Sequence, residues 1–290
     1  MWRAVVRMKA TIIYYSQSGN TEKVAYELAE KLQKAGWEVM PLLFEDVADF
    51  PEALDGIDVL GVGFPTFFGH PPKFVAEMIG KLDKVVTASA FVFTTYGGET
   101  AGDSLFDAAS ALWKRGYRIL GGLKIEGSND YPQAAALKIN QGRPDDNDML
   151  HVDKFVEKLV EAYSSGRRLD PAKLASSTPF FVENRGKPLA EVLEQMRGRV
   201  EGEVTFHEDQ CLFCETCKKI CPSRSITTGK DMPEFSWKCI DGMRCYHCVR
   251  TCPGKALTVE FPGRTPEQYA QYFATVADSP EEKRRAFIMA

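Results

Sequence analysis

Apolar residues along the first 165 positions switch repeatedly between unbroken runs and helical spacing. Ala10 to Tyr15 is a continuous β-branched and aromatic run, which predicts a buried strand. The polar, turn-rich segment Ser16-Gln17-Ser18-Gly19-Asn20-Thr21 follows, and Val24, Tyr26, Leu28, Ala29 and Leu32 then recur at helical spacing up to Gly36. The same order repeats. Further strands are expected at Trp37 to Phe44, Ile57 to Phe64, Ala88 to Thr95 and Tyr117 to Ile125, with helices at Pro72 to Ile79, Ala101 to Arg115 and Met149 to Ser165. Val152, Phe155, Val156, Leu159 and Val160 share one face of the last helix. Five strands alternating with helices specify an α/β fold, a parallel sheet covered on both faces.

Beyond Ser165 the periodicity weakens. Residues 166–205 contain Pro171, Pro179, Pro188 and several glycines, and read as a linker with one helix at Leu189 to Arg197. Residues 206–262 hold every cysteine of the chain and are too short for a large core, so they depend on another source of stability. The tail reads as helical at both ends. The expected organisation is 1–165, 166–205, 206–262 and 263–290.

Composition narrows the function classes. At 290 residues and 44% hydrophobic, the chain is long and apolar enough for two packed domains, which excludes disorder. No run approaches the roughly 18 apolar residues of a membrane span, and MWRAVVRMK lacks the apolar core of a signal peptide, so a cytoplasmic location is expected. A pI near 5.7 argues against nucleic acid as a partner. Residues 1–165 carry 17 Lys+Arg against 23 Asp+Glu, a net of -6, and residues 205–262 carry 8 against 7, a net of +1. Dispersed charge of this kind reads as solubilising surface.

The placement of cysteine is more informative. All 8 cysteines lie between Cys211 and Cys252, and the first 210 residues have none. Nothing directs the chain to an oxidising compartment, so metal ligation or redox chemistry is expected rather than disulfides. The first group reads Cys211-x2-Cys214-x2-Cys217-x3-Cys221-Pro222. The second, Cys239, Cys245, Cys248 and Cys252-Pro253, keeps the later spacings but has five residues, Ile240 to Arg244, where the first group has two. Two four-thiolate zinc sites would also use all 8 cysteines, but zinc sites usually join two separated C-x2-C pairs.

The first run resembles the ligand motif of bacterial-type ferredoxins, in which three closely spaced thiolates hold one iron-sulfur cube and the fourth serves the other. The resemblance implies two 4Fe-4S clusters, one on Cys211, Cys214, Cys217 and Cys252, the other on Cys239, Cys245, Cys248 and Cys221. Crossed ligation would supply folding energy that a small core cannot. His247, between two of these cysteines, is expected to be a surface histidine. Lys218 and Lys219 either tune the nearby cluster or form a solvated face.

The loop Ser16-Gln17-Ser18-Gly19-Asn20-Thr21 stands between a strand and a helix, where backbone N–H groups and the helix dipole converge on an anion. Its hydroxyls suit a phosphate monoester, although an ordinary capped helix start uses the same residues. The loop resembles the phosphate loop of flavodoxins, and the strand and helix count matches their doubly wound five-stranded sheet of order 2-1-3-4-5. Two further loops leave the same end of the sheet: Pro65-Thr66-Phe67-Phe68-Gly69 after the third strand and Thr95-Tyr96-Gly97-Gly98 at the end of the fourth. By this resemblance FMN is the cofactor. Thr66 and Phe67 would flank one face of its ring and Tyr96 the other, with Thr95, Gly97 and Gly98 giving backbone contacts.

A flavodoxin-like domain joined to a C-terminal α+β two-cluster ferredoxin-like domain resembles the flavodoxin-ferredoxin fusion proteins of anaerobic bacteria and archaea. That resemblance implies electron transfer between clusters and FMN, with redox partner proteins as donor and acceptor; a homodimer is left open. One alternative is an iron-sulfur flavoenzyme reducing a quinone-like small acceptor, with Glu126 to Asp148, including Tyr131 and Arg143, as pocket or lid. Another is a ferredoxin carrying an empty flavodoxin-like scaffold. No G-x-G-x-x-G follows a strand, and His70, His151, His207 and His247 suggest no catalytic triad.

Overall fold

The structure, a computed structural model, describes residues 7–47, 49–83, 88–240 and 244–290, without the side chains of Pro51 and residues 196–200. Three residues of the long Cys239 to Cys245 spacer, 241–243, lie outside the described residues. In chain order the elements are β1 (Lys9–Tyr14), α1 (Asn20–Lys34), β2 (Glu38–Leu43), β3 (Val59–Pro65), α2 (Lys73–Lys81), β4 (Ser89–Tyr96), α3 (Ser104–Lys114), β5 (Arg118–Glu126), α4 (Pro132–Ala136) and α5 (Asp146–Ser164). They continue as α6 (Pro179–Asn184), α7 (Leu189–Val200), β6 (Glu203–Phe206), α8 (Thr216–Lys219), β7 (Ile226–Thr228), β8 (Pro233–Phe235), α9 (His247–Thr251), β9 (Leu257–Glu260), α10 (Pro266–Ala274), α11 (Pro280–Arg284) and β10 (Phe287–Met289). No described helix is long and apolar enough to cross a membrane.

The chain forms two compact units, each discontinuous in sequence. The first comprises Met1–Asn129, Asn140–Glu183 and Val276–Ala290; the second comprises Asp130–Ile139 and Asn184–Thr275. The expected linker 166–205 is therefore divided, its first part joining the first unit and the remainder the second. The tail is divided in the opposite sense, its first part joining the second unit and 276–290 the first.

In the first unit, β2-β1-β3-β4-β5 form the expected parallel sheet. Their ends are in step, with Tyr14 opposite Gly63, Pro65 opposite Thr95 and Tyr96 opposite Glu126. Successive strand residues point to opposite faces, so Ile12 and Tyr14 join Phe91, Phe93, Leu28 and Phe155 beneath α1 and α5, whereas Ile13 joins Val62, Val92, Ile79 and Leu112 beneath α2 and α3. Tyr26, placed on the buried face of α1 by the sequence, is 53% exposed. Two residues from Val24 amount to about 200° of helix, which turns it away from the sheet. Gly61 and Gly63 have a packing role. A Cβ on Gly61 would lie 2.5 Å from the Phe91 ring, and one on Gly63 would lie 1.9 Å from that of Phe93.

The sequence expected helix at the very end of the chain, but β10 adds an antiparallel strand to β5, pairing Phe287 with Leu123 and Met289 with Gly121. An unpaired apolar edge needs cover, and three apolar residues after a short helix supply it. The tail is anchored by charge as well. Lys124, buried on β5, stands 3.2 Å from Asp278 and 3.0 Å from Glu282, and Asp278 also accepts from Thr178 at 2.8 Å. Buried charges persist only when paired in this way.

The second unit contains two small antiparallel pairs, β6 with β9 and β7 with β8. Its aromatic core places Tyr131 stacked on Tyr269 at 5.3 Å and edge-on to Tyr246 at 5.2 Å. The Tyr246 hydroxyl takes the Gly202 N–H at 2.5 Å.

Gly63→Ala is expected to destabilise the first unit by about 1–3 kcal/mol through overpacking against Phe93, read as a lower urea midpoint at unchanged m-value.

Candidate functional site

Because β1, β3, β4 and β5 are parallel and end together, the loops that follow them gather at one edge of the sheet. The first is Ser16 to Thr21. Gly19 has φ 87° and caps α1 without any side-chain bond, and a Cβ built on it would have nothing within 4 Å. Its N–H donates to Ser16 Oγ at 3.1 Å, which holds the turn. Ser18 is exposed, and the buried Gln17 Nε2 has no protein partner. An open glycine, an unsatisfied amide and a helix start without a side-chain cap together fit an anionic group such as a phosphate.

Direct bonds tie this loop to the others. Thr21 Oγ1 lies 2.7 Å from Thr95 Oγ1, and Asn20 Nδ2 donates to the Ser128 carbonyl at 3.2 Å. The Thr66 N–H donates to the Thr95 carbonyl at 2.7 Å, while its hydroxyl contacts those of Thr94 and Ser104 at 2.9 and 3.0 Å. Phe67 and His70 exchange backbone bonds across Phe68 (φ 52°) and Gly69 (φ 82°). Two positive φ angles make this a type I′ turn, and the left-handed conformation costs Phe68 about 1–2 kcal/mol. Gly69 is buried against Phe181, and Pro65, Thr66, Phe67 and Phe68 are partly exposed.

Tyr96 does not present an open ring. It is 5% exposed, with its hydroxyl 3.3 Å from Glu126 and Lys124 over its ring at 6.0 Å. Gly97 admits the Asn129 side chain, which reaches the Gly97 carbonyl at 3.4 Å and Glu99 at 3.5 Å; Gly98 has φ 103°. Burial raises the pKa of Glu99.

The sequence places Gly127-Ser128-Asn129, the loop after β5, only within the Glu126 to Asp148 stretch and not among the flavin-type loops, although its turn chemistry follows a strand as at the other sites. It also took Glu126 to Asp148 as one pocket wall or lid, whereas the structure uses the two named residues separately. Tyr131 belongs to the aromatic core of the second unit, and Arg143 forms ion pairs with Glu126 and Asp148 in the first.

In the second unit the eight cysteines fall into two sets. Cys211, Cys214, Cys217 and Cys252 line a cavity of about 200 Å³ with Phe206, Leu212, Phe213 and Phe235. Cys221, Cys239, Cys245 and Cys248 line a narrower one with Trp237 and Arg244. Each set thus draws its fourth member from the other cysteine run. Among the described residues no three His, Cys, Asp or Glu side chains converge tightly enough for a single metal ion. Four sulfurs around a void suit a multi-iron cluster better than one zinc at about 2.3 Å from each.

Burial pushes the Cys239 thiol up to about 11 and Cys248 to about 12, so metal binding there must release protons. The Thr216 hydroxyl holds Cys214 down. Cys221 Sγ receives the Ser225 N–H at 3.4 Å, and the Ser223 and Ser225 hydroxyls stand at the same distance. His247 is not the surface histidine expected: it is partly buried, and burial followed by Arg250 pushes it down to about 4. Lys218 and Lys219 are exposed, with Lys218 3.3 Å from Glu215.

The flavodoxin family model matches residues 12–138, and a 4Fe-4S dicluster domain model matches residues 203–253. Similar solved structures include a rubredoxin oxygen:oxidoreductase from Desulfovibrio gigas, 19% identical over 54% of this chain and 36% of its own, at TM-score 0.44. A flavodoxin from the domain Archaea is 20% identical over 54% of this chain and 99% of its own, at TM-score 0.43. Flavodoxin 1 from Bacillus cereus is 22% identical over 53% and 97%, at TM-score 0.40. The chain spans about a third of the length of the Desulfovibrio gigas protein. No curated protein matches it.

If each set of four thiols holds a cluster, Cys252→Ser is expected to perturb the signal associated with Cys211, Cys214 and Cys217, and Cys221→Ser the other signal, read by iron content and electron paramagnetic resonance. A substitution that altered the cluster of its own run instead would refute the crossed division. For Glu99, a folded-state pKa raised above the unfolded value of about 4.3 means that stability is lost as pH rises through that range. Glu99→Gln should therefore gain thermal stability over the wild type as pH increases from 4 to 7, and a constant difference would count against it.

Proposed function

We propose, starting from a chain that joins a flavodoxin domain to a 4Fe-4S dicluster domain, that it is an electron carrier in which two 4Fe-4S clusters and FMN link one-electron to two-electron redox partners. The observation that carries this reading is the presence in one chain of a four-loop rim suited to a flavin phosphate and two separate sets of four thiols. When bound, the clusters supply single-electron steps and FMN a two-electron store filled one electron at a time.

The chain's own residues have distinct tasks. Gly19 lets the backbone approach the phosphate, Ser16 fixes the turn, and Ser18 and Gln17 are its available side-chain donors. Asn20 and Thr21 brace the loop against Ser128 and Thr95. The Thr66 hydroxyl and the Tyr96 ring are engaged within the protein, so ring contacts fall to Phe67, Phe68 and the backbone of Thr95, Gly97 and Gly98. The eight cysteines hold the clusters, the Ser225 N–H donated to Cys221 Sγ stabilises thiolate there, and Thr216 beside Cys214 lowers its pKa. A carrier also needs donor and acceptor proteins.

The flavoenzyme alternative is less well supported, because Tyr131 and Arg143 are committed to packing and ion pairs rather than to an open pocket. Anaerobic purification followed by iron, sulfide and flavin quantification tests the proposal. Two four-iron clusters require about eight irons per chain, together with one FMN. Gly19→Val should weaken FMN binding at least about tenfold, because φ 87° excludes a β-branched residue. Iron without FMN, even after reconstitution with added flavin, would refute the carrier and leave the scaffold alternative.

A further inference from the structure

The second cysteine run departs from the first in its spacing: five residues separate Cys239 from Cys245, against two between Cys211 and Cys214. The last of the five is Arg244. Its side chain lines the cavity shared by Cys221, Cys239, Cys245 and Cys248 and is only 26% exposed. The guanidinium is fixed on several sides. It lies over the Trp237 ring at 5.2 Å, donates from Nη1 to the Gly202 carbonyl at 3.2 Å, and has Nε 3.6 Å from the Glu201 carboxylate.

The charge around the two cavities differs. Glu215 and Asp231 line the first together with Lys218 and Lys230, so its local charge balances. Among the described residues no carboxylate lines the second, and Glu201, the partner of Arg244, lies outside the lining. Reduction of a thiolate-bound cluster adds one electron, and hence one negative charge, from a low-potential one-electron donor. Burial disfavours the added charge. A fixed guanidinium favours it, and the same burial limits the screening of that attraction. Cluster potentials respond to net charge, to hydrogen bonds to sulfur and to solvent exposure.

We propose that Arg244, the residue before Cys245, sets the reduction potential of the cluster held by Cys221, Cys239, Cys245 and Cys248, keeping it above the value that burial alone would give. Arg244 is a positioning residue for charge and does not ligate iron. The inference rests on the iron-sulfur reading above.

The test is an anaerobic redox titration of the full-length protein with dithionite and mediators, following both cluster signals by electron paramagnetic resonance. The relevant signal is the one that Cys221→Ser perturbs. Arg244→Gln is expected to shift its one-electron equilibrium about tenfold toward the oxidised form, or about 59 mV lower, and to leave the other cluster in place. Arg244→Lys should retain most of the wild-type potential, and Glu201→Gln should shift it in the opposite direction. An unchanged potential in Arg244→Gln with both signals present, or an equal shift in both clusters, would overturn the inference. If Arg244→Gln does not assemble the cluster, Glu201→Gln decides: a raised potential supports the inference, and an unchanged or lowered one overturns it. Wild-type protein without iron would refute the iron-sulfur reading itself, whereas iron with a potential insensitive to Arg244 would refute only this step.

Discussion

The first unit depends on one constraint, the common direction of β1 to β5. Parallel strands require helical crossovers, and crossovers bury both faces of the sheet. The two apolar faces are satisfied by different helices, α1 and α5 on one side and α2 and α3 on the other. The same direction sends every strand-to-helix loop to a single edge. Core and candidate site are therefore two consequences of one topology, and the bonds between Thr21 and Thr95 and between Asn20 and Ser128 join loops that lie far apart in sequence.

The second unit is organised differently. Its two-stranded ribbons and short helices bury few large side chains, and its described core relies on tyrosines contributed by separate segments. The cysteine sets cross between the two runs, so a cluster on either set would tie early and late parts of the unit together. Metal binding would then be folding energy as well as function. The surroundings of the sulfurs also differ: the first cavity has an apolar wall that includes exposed Leu212 and Phe213, and the second has Trp237 and a held guanidinium.

Much of this was legible along the chain because the signals are local. Strand runs, helical periodicity and the Ser16 to Thr21 turn occupy contiguous residues, and the five parallel strands and their long helices differ from expectation mainly at their ends. The capping box at Asp145 starts α5 before Met149, where the apolar spacing alone began it. The loop Gly127-Ser128-Asn129 was legible in principle, since it follows a strand as the other rim loops do. Tyr96 and His247 were not. An aromatic beside two glycines reads as available for stacking, and a histidine between two cysteines reads as exposed; only packing shows that Glu126 holds the first and that the second is partly buried.

By itself the sequence determined the alternation of five strands with helices and the spacing of the cysteines, because each is written in short-range pattern, whereas the doubly wound order of the sheet and the flavin-type rim came from the resemblance those patterns carry. Tertiary structure decided which residues each unit owns. It placed 130–139 with the second unit and returned 276–290 to the first, where β10 covers the edge of β5 and Asp278 meets the buried Lys124. It also decided that Arg244 faces the second set of thiols while its partner Glu201 stays outside the lining. Edge pairing, charge compensation and the side from which a cation approaches depend on residues distant in sequence, and local periodicity carries no record of them.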